Sequence, residues 1–370
     1  MSENGDKRII LDPFGATLIE DYERLFTEFG IQPLKPLLPE IPNPLMAMRR
    51  GVIFGHRDFE RILEVMKSRG NFAVMSGIKP TSEFHLGTLM TVREIIYFQQ
   101  QGATAFYCIA DIESYEDNGI PFKESERIAI NNVADLLALG FDIKRGYIYR
   151  QSKEDRVKDL AIIFSRGVTL ATIRAIYGER HIGLYLSALI QAGDILMPQL
   201  EDFGGPKPTV VPVGIDQDPH IRFTRDLADK FYSKFKFIPP SSIYHRLIRA
   251  LDGNYKMSKR DPMSYFTLDE EPELIRKKIF NAFTGGRPTA EEQRKLGGNP
   301  EICPIFDLYL FHFFEDDKDV IELYNDCKCG NILCGEDKAR LAKIVTGFVK
   351  DHQRRKRQCI DKAIEILKTK

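Results

Sequence analysis

The chain has 370 residues, more than one compact core usually holds, so two domains are expected, and 43% hydrophobic with 29% charged residues is ordinary for a globular protein. Lysine plus arginine equals aspartate plus glutamate at 53 each, so no overall field draws the chain to nucleic acid, and any RNA contact has to come from local basic patches. Six cysteines exclude a disulfide framework and the polar, acidic opening at 1–6 predicts no export signal, so a cytoplasmic protein is expected.

Residues 1–50 are punctuated by Pro33, Pro36, Pro39, Pro42 and Pro44, a spacing that forbids a long helix and predicts an extended arm over a folded body. A helix is expected at 58–69, ended by Gly70 and Asn71. An alternating series follows: strand 72–76, helix 86–101, strand 104–110, helix 124–139 closed by Gly140, and a short strand at 147–149. Helical material fills about 153–200. Then come a strand at 209–214, a helix at 222–235 and a last strand at 242–245. The most apolar stretch, 182–200, is interrupted by Gln191, Asp194 and Pro198, which predicts a buried core helix and no membrane span.

Such alternation with right-handed crossovers predicts an α/β fold, a Rossmann-like doubly wound parallel sheet with ligands at the carboxyl ends of its strands. The helical stretch at 153–200 reads as an insertion between its halves. After about residue 269 the strand signals stop. Helices are expected at 270–283 and 338–368, with a loop-rich region between them that is apolar at 306–314. The expected organisation is an arm and helix at 1–70, a catalytic domain at 71–265 and a C-terminal α-helical domain at 266–370.

Two segments carry chemistry. Gly77, Pro80 and Thr81 lead from the first strand into His85-Leu86-Gly87-Thr88 at a helix start, where amide groups and the helix dipole favour a phosphate. Lys256-Met257-Ser258-Lys259-Arg260 follows the last strand, where clustered cations can stabilise charge building on a departing pyrophosphate. Taken singly, the histidine also reads as a helix cap and the pentapeptide as a solvated loop. Standing at opposite ends of one alternating domain, they point to a nucleotide site.

These two segments resemble the signature motifs of class I aminoacyl-tRNA synthetases, with Thr88 where a second histidine is usual. Gly214-Ile215-Asp216-Gln217-Asp218-Pro219, the turn at Phe54-Gly55-His56-Arg57-Asp58, Thr284-Gly285-Gly286-Arg287 and Asp351-His352-Gln353-Arg354-Arg355 are similar to segments of archaeal and eukaryotic tryptophanyl-tRNA synthetases. The resemblance runs from about residue 10 to the end.

It implies activation of L-tryptophan with ATP and Mg²⁺, the metal held mainly through phosphates, then transfer to tRNA(Trp) by a homodimer. It implies catalytic roles for His85, Lys256, Ser258 and Lys259. Gly77, Pro80, Thr81, His85, Gly87, Thr88, Lys256, Met257 and Ser258 would hold ATP. Glu113 and Gln191 would take the ammonium group, and Gln217 another pocket position. Met75 and Cys108 stand where eukaryotic relatives read the indole N–H with a tyrosine and a glutamine. Asp194, three residues after Gln191 on one helix face, is the candidate acceptor instead. Met75 also favours tryptophan over tyrosine. Arg287, Arg354 and Arg355 would meet tRNA.

No protein metal site is expected, because Cys327, Cys329 and Cys334 lack a fourth ligand in paired spacing. The competing readings are a tyrosyl-tRNA synthetase, a small-molecule nucleotidyltransferase and a non-catalytic RNA-binding paralogue.

Overall fold

A computed structural model of the chain describes residues 23–254 and 261–368. Among them is one seven-stranded sheet, formed by β1 (Gln32–Pro33), β2 (Ile53–Arg57), β3 (Ala73–Ile78), β4 (Thr104–Ile109), β5 (Gly146–Arg150), β6 (Thr209–Gly214) and β7 (Ser241–His245). Their order across the sheet is β1-β2-β7-β6-β3-β4-β5. The five strands from β7 to β5 are mutually parallel, while β2 pairs antiparallel with β7 and β1 antiparallel with β2.

The sheet is therefore mixed rather than wholly parallel, and the reason lies in residues 53–57. Gly55, His56 and Arg57 interrupt the apolar alternation that marks a strand, so the segment reads as a turn. Yet His56 is buried and the strand adds a full edge beyond β7. The proline-rich stretch likewise departs from an extended arm. Lys35–Glu40 winds into a 3-10 helix that carries Pro36 and Pro39, while Pro33 sits in β1 on the sheet edge, where a missing N–H is tolerated.

Side chains alternate across the sheet and feed two cores. Val74, Ala105, Tyr107, Ile109, Ile148 and Val210 pack on one face, beneath the helices Phe59–Ser68, Leu86–Gln100 and Phe122–Ala138. Met75, Phe106, Cys108, Tyr149 and Val211 pack on the other, beneath Asp155–Ser165, Ile182–Leu196 and Asp218–Lys230. The insertion between β5 and β6 is three helices, Asp155–Ser165, Leu170–Tyr177 and Ile182–Leu196. The helix expected at 222–235 begins four residues earlier, at Asp218, because Pro219 occupies its first turn, where a proline lacks nothing the helix needs. Among the described residues, no single helix is long and apolar enough to cross a membrane.

The C-terminal helix Cys334–Lys368 continues the first core with Leu341, Val345, Val349 and Leu367. Its polar lock is Asp135, fully buried, which accepts from His352 Nε2 at 2.7 Å and Lys356 Nζ at 2.9 Å. The region read as loop between the two C-terminal helices holds three more, Ala290–Leu296, Pro304–Leu308 and Asp317–Cys329.

Candidate active site

Chain direction reverses at the centre of the parallel strands: from β3 the chain moves outward to β4 and β5, and from β6 outward the other way to β7. A doubly wound sheet opens a crevice at such a point, at the carboxyl ends of the diverging strands. Here Gly77, Ile78 and Lys79 leave β3 and Gly214 ends β6, and all four line a cleft of about 340 Å³. Met75, Cys108, Glu113, Gln191, Asp194 and Gln217 line the same cleft. Every substrate-pocket residue expected from the sequence is thus brought to one cavity.

Gly77 has a steric reason to be glycine, since a Cβ there would stand 2.5 Å from the Cys108 carbonyl oxygen on β4. His85 caps the helix Leu86–Gln100, and its Nδ1 accepts from the Gly87 N–H at 3.1 Å. Cap and nucleotide contact are therefore compatible roles for this side chain. Gly87 and Thr88 share a helix face with Thr91, which lines the cleft. Pro80 is buried, and its carbonyl accepts from Ser114 Oγ at 3.3 Å. The Thr81 N–H donates to the Lys79 carbonyl at 2.8 Å, folding the chain between strand and helix.

Lys256, Met257, Ser258 and Lys259 lie outside the described residues. The flanks of their segment are described. Leu251 N–H donates to Ser264 O at 2.7 Å, and Leu268 N–H donates to Phe84 O at 2.8 Å beside a His85–Thr267 bridge. The downstream flank thus returns to the helix start that His85 caps.

Two acids, Glu113 and Asp194, line the cleft, joined through Gln151, which accepts from the Glu113 N–H at 3.4 Å. At one, Lys79 Nζ pairs with Asp117 and lies 3.5 Å from Glu113 Oε1. Burial raises the Glu113 carboxyl above its usual range, Lys79 opposes this and Asp117 adds to it. A second cation, such as a substrate ammonium, would relieve that strain.

At the other, Asp194 is 2% exposed and holds two donors, Tyr149 Oη at 2.8 Å and Gln151 Nε2 at 2.6 Å. Burial pushes its pKa up to about 7, against the opposing pull of Gln151, Tyr149 and Cys108. A carboxylate offers about four lone-pair sites, so room remains for a further donor. Burial thus sets Asp194 apart from a surface carboxyl, which is ionised well below neutral pH.

Sequence reasoning passed over Tyr149 and Gln151, although period-2 alternation from Tyr147 through Tyr149 to Gln151 places them on one face. It also passed over His220, whose Nδ1 takes the Tyr177 hydroxyl at 2.7 Å and which burial, then Lys79, lowers to about 3. Two of the quoted segments lock to each other. Arg57 Nε donates to buried Asp218 Oδ1 at 2.8 Å, and Arg225 Nη2 donates to Asp58 Oδ2 at 2.6 Å. Part of what makes the 214–219 segment distinctive is therefore structural.

Away from the cleft, Arg287 is exposed, with Nε donating to the Gly297 carbonyl at 2.9 Å. Arg354 is exposed, whereas Arg355 is half-buried and donates to the Ala138 carbonyl at 3.0 Å. Arg287 lies near the start of the terminal helix, because a Cβ on Gly286 would meet Cys334 Sγ. Twenty residues of helix separate Cys334 from Arg354, a rise of about 30 Å. Cys303, Cys327 and Cys334 share a small cavity with Asp337, while Cys329 is exposed. Among the described residues, no group of three or more donors is placed to hold a metal ion.

Residues 66–350 match the family model described as tRNA synthetases class I (W and Y). A tryptophan--tRNA ligase of Hyperthermus butylicus is 43% identical, over 96% of this chain and 97% of its own. The chain belongs to the tryptophanyl-tRNA synthetase family. The crystal structure of tryptophanyl-tRNA synthetase from Aeropyrum pernix superposes with a TM-score of 0.90 at 43% identity, covering 96% of this chain and 99% of that one. Tryptophanyl-tRNA synthetase from Giardia lamblia gives 0.84 at 26% identity, over 94% and 95%. These relatives carry the tryptophan name, so the tyrosyl alternative finds no support in them. The matches also extend through the C-terminal helices, which a small-molecule nucleotidyltransferase does not account for.

Proposed function

We propose that the chain activates L-tryptophan with ATP, releasing pyrophosphate, and transfers the tryptophanyl group from the adenylate to the 3′ end of tRNA(Trp). The observation that carries this reading is the convergence of Glu113, Gln191, Asp194 and Gln217 on one cleft at the crevice of a doubly wound sheet. Glu113 and Gln191 take the ammonium group at the Lys79 end. Asp194 takes the indole N–H at the other, while Met75 and Cys108 line the wall without a strong acceptor.

ATP lies along Gly77, Pro80, Thr81, Gly87 and Thr88, with His85 at the helix start, and Mg²⁺ travels with its phosphates. Lys256, Met257, Ser258 and Lys259 act on the departing pyrophosphate. The division of labour is catalysis at 71–265, with β1 and β2 extending its sheet, and tRNA contact at 266–370. The six free cysteines fit a cytoplasmic location. A homodimer would cover exposed apolar side chains such as the stacked pair Tyr115 and Phe122, and Ile182 at 85% exposed.

Aminoacylation and pyrophosphate exchange measured side by side separate the two halves. Replacing Arg287 or Arg354 with alanine is expected to weaken tRNA charging while exchange stays within about twofold. Removing a phosphate-contacting arginine should also reduce the salt dependence of tRNA binding by about one unit of slope. Arg355 is the poorer probe, because its loss also frees the Ala138 carbonyl. Equal losses in both assays would mean a misplaced RNA surface.

A further inference from the structure

Lys79 is a charged group to which the reaction described above gives no part. It is the first residue beyond β3, and Glu113 and Asp117 stand four residues apart on the helix Asp111–Asn118 that follows β4, so one helix face carries both acids. The ends of β3 and β4 are pinned together where the Ala110 N–H donates to the Ile78 carbonyl at 2.8 Å. That pairing brings Lys79 Nζ onto Asp117 and within 3.5 Å of Glu113 Oε1, with 27% of the lysine side chain still exposed to a ligand. Lys79 and Glu113 both line the cleft.

Among the described residues that line it, Lys79 is the one lysine or arginine. His220 lines it too, but burial and then Lys79 lower that imidazole to about 3, so it is neutral. Burial opposes the charge on Lys79 as well. Glu113 and then Asp117 outweigh it and bring the lysine above its usual value, so it stays an ammonium. An amino-acid substrate enters as a zwitterion, with ammonium and carboxylate hanging from one carbon. Where Glu113 holds the ammonium, the carboxylate lies beside it, among acids that repel an unmatched anion. Lys79 has the donors to match it. An ammonium carries three N–H groups, Asp117 takes one, and Glu113 at 3.5 Å is farther than an ordinary hydrogen bond.

We propose that Lys79 is a specificity-determining residue for the α-carboxylate of tryptophan: its ammonium, steadied by Asp117, takes the carboxylate while Glu113 takes the substrate ammonium. This rests on the amino-acid-binding reading of the cleft. The two protein charges and the two substrate charges then alternate in sign. A bare amine gains no such match, because its ammonium shares Glu113 with Lys79 and brings no anion to set between the two cations.

The chain contains no tryptophan, so the ligand's own indole fluorescence reports binding. Titrations of wild type, Lys79→Met and Lys79→Arg give the Kd for L-tryptophan and for tryptamine, which keeps the indole and ammonium but lacks the carboxylate. Wild type should bind tryptamine about tenfold or more less tightly than tryptophan. Lys79→Met should weaken tryptophan by about tenfold or more. The same variant should hold tryptamine within about twofold or bind it more tightly, because the like charge beside Glu113 is gone. Lys79→Arg should recover part of the tryptophan binding. Loss of both ligands together in Lys79→Met would make Lys79 a structural partner of Asp117 and overturn the proposal. So would unchanged tryptophan binding in that variant, or a wild type that binds tryptamine as tightly as tryptophan. A wild type that binds neither ligand would strike the amino-acid reading of the cleft, and the proposal with it.

Discussion

Replacing Asp194 with alanine is expected to lower kcat/KM for tryptophan by about 10- to 150-fold, the range for losing a hydrogen bond to a charged group worth roughly 1.5–3 kcal/mol. The acid already holds Tyr149 and Gln151, which fix its plane and leave an indole N–H as the further donor. Truncation also strands those two buried donors, so the mutant alone overstates the bond. The comparison with benzothienylalanine, whose ring has no N–H, isolates it, because the loss should shrink for the analogue. Equal impairment of both substrates would make Asp194 structural.

The same acid sets a pH dependence. In the free protein Asp194 is about half-protonated near its pKa of about 7, and an indole N–H selects the ionised form. Tryptophan binding should therefore release protons and tighten as pH rises through 7, levelling off above it. Tyr149 and Cys108, both raised by burial, stay neutral across this range, and Glu113 is held by its own partner Lys79. Calorimetry in buffers of different ionisation enthalpy reads the release directly. Asp194→Asn should abolish the part of it that belongs to this group.

Alanine at Lys256 or Lys259 is expected to lower kcat for exchange on the order of 10²-fold or more, with far less effect on the KM for tryptophan. Charge on the departing pyrophosphate develops in the transition state, so a preorganised cation contributes there and little in the ground state. The described flanks support this assignment by returning the chain to the helix that His85 caps. Unchanged kcat in both variants would leave the segment a solvated basic loop.

Much of the fold is legible because burial writes a period into the chain. All five parallel strands are foreseen, and the 209–214 strand has the bounds of β6. What escapes lacks that period. β2 carries Gly55, His56 and Arg57, whose reasons are the Asp218 lock and the sheet edge, neither visible locally. Of the helices between 290 and 329, Ala290–Leu296 and Pro304–Leu308 are short, and Asp317–Cys329 carries charged residues through most of its length, so apolar periodicity does not announce them. At the site, residue types are foreseeable and states are not. Asp194 is placed by its helix face, but its protonation depends on burial and on Tyr149 and Gln151, which arrive from β5 and the turn after it, 45 and 43 residues away in sequence.

The central claim is that this cleft selects tryptophan and activates it, and amino-acid-dependent exchange of labelled pyrophosphate into ATP tests it most directly. With Mg²⁺ and ATP present, exchange should depend on tryptophan and stay near background with tyrosine. A phenol carries its hydroxyl farther from the backbone than an indole carries its N–H, and Met75 in the wall offers that hydroxyl no strong hydrogen-bond partner. Exchange supported by tyrosine and not by tryptophan would contradict the account.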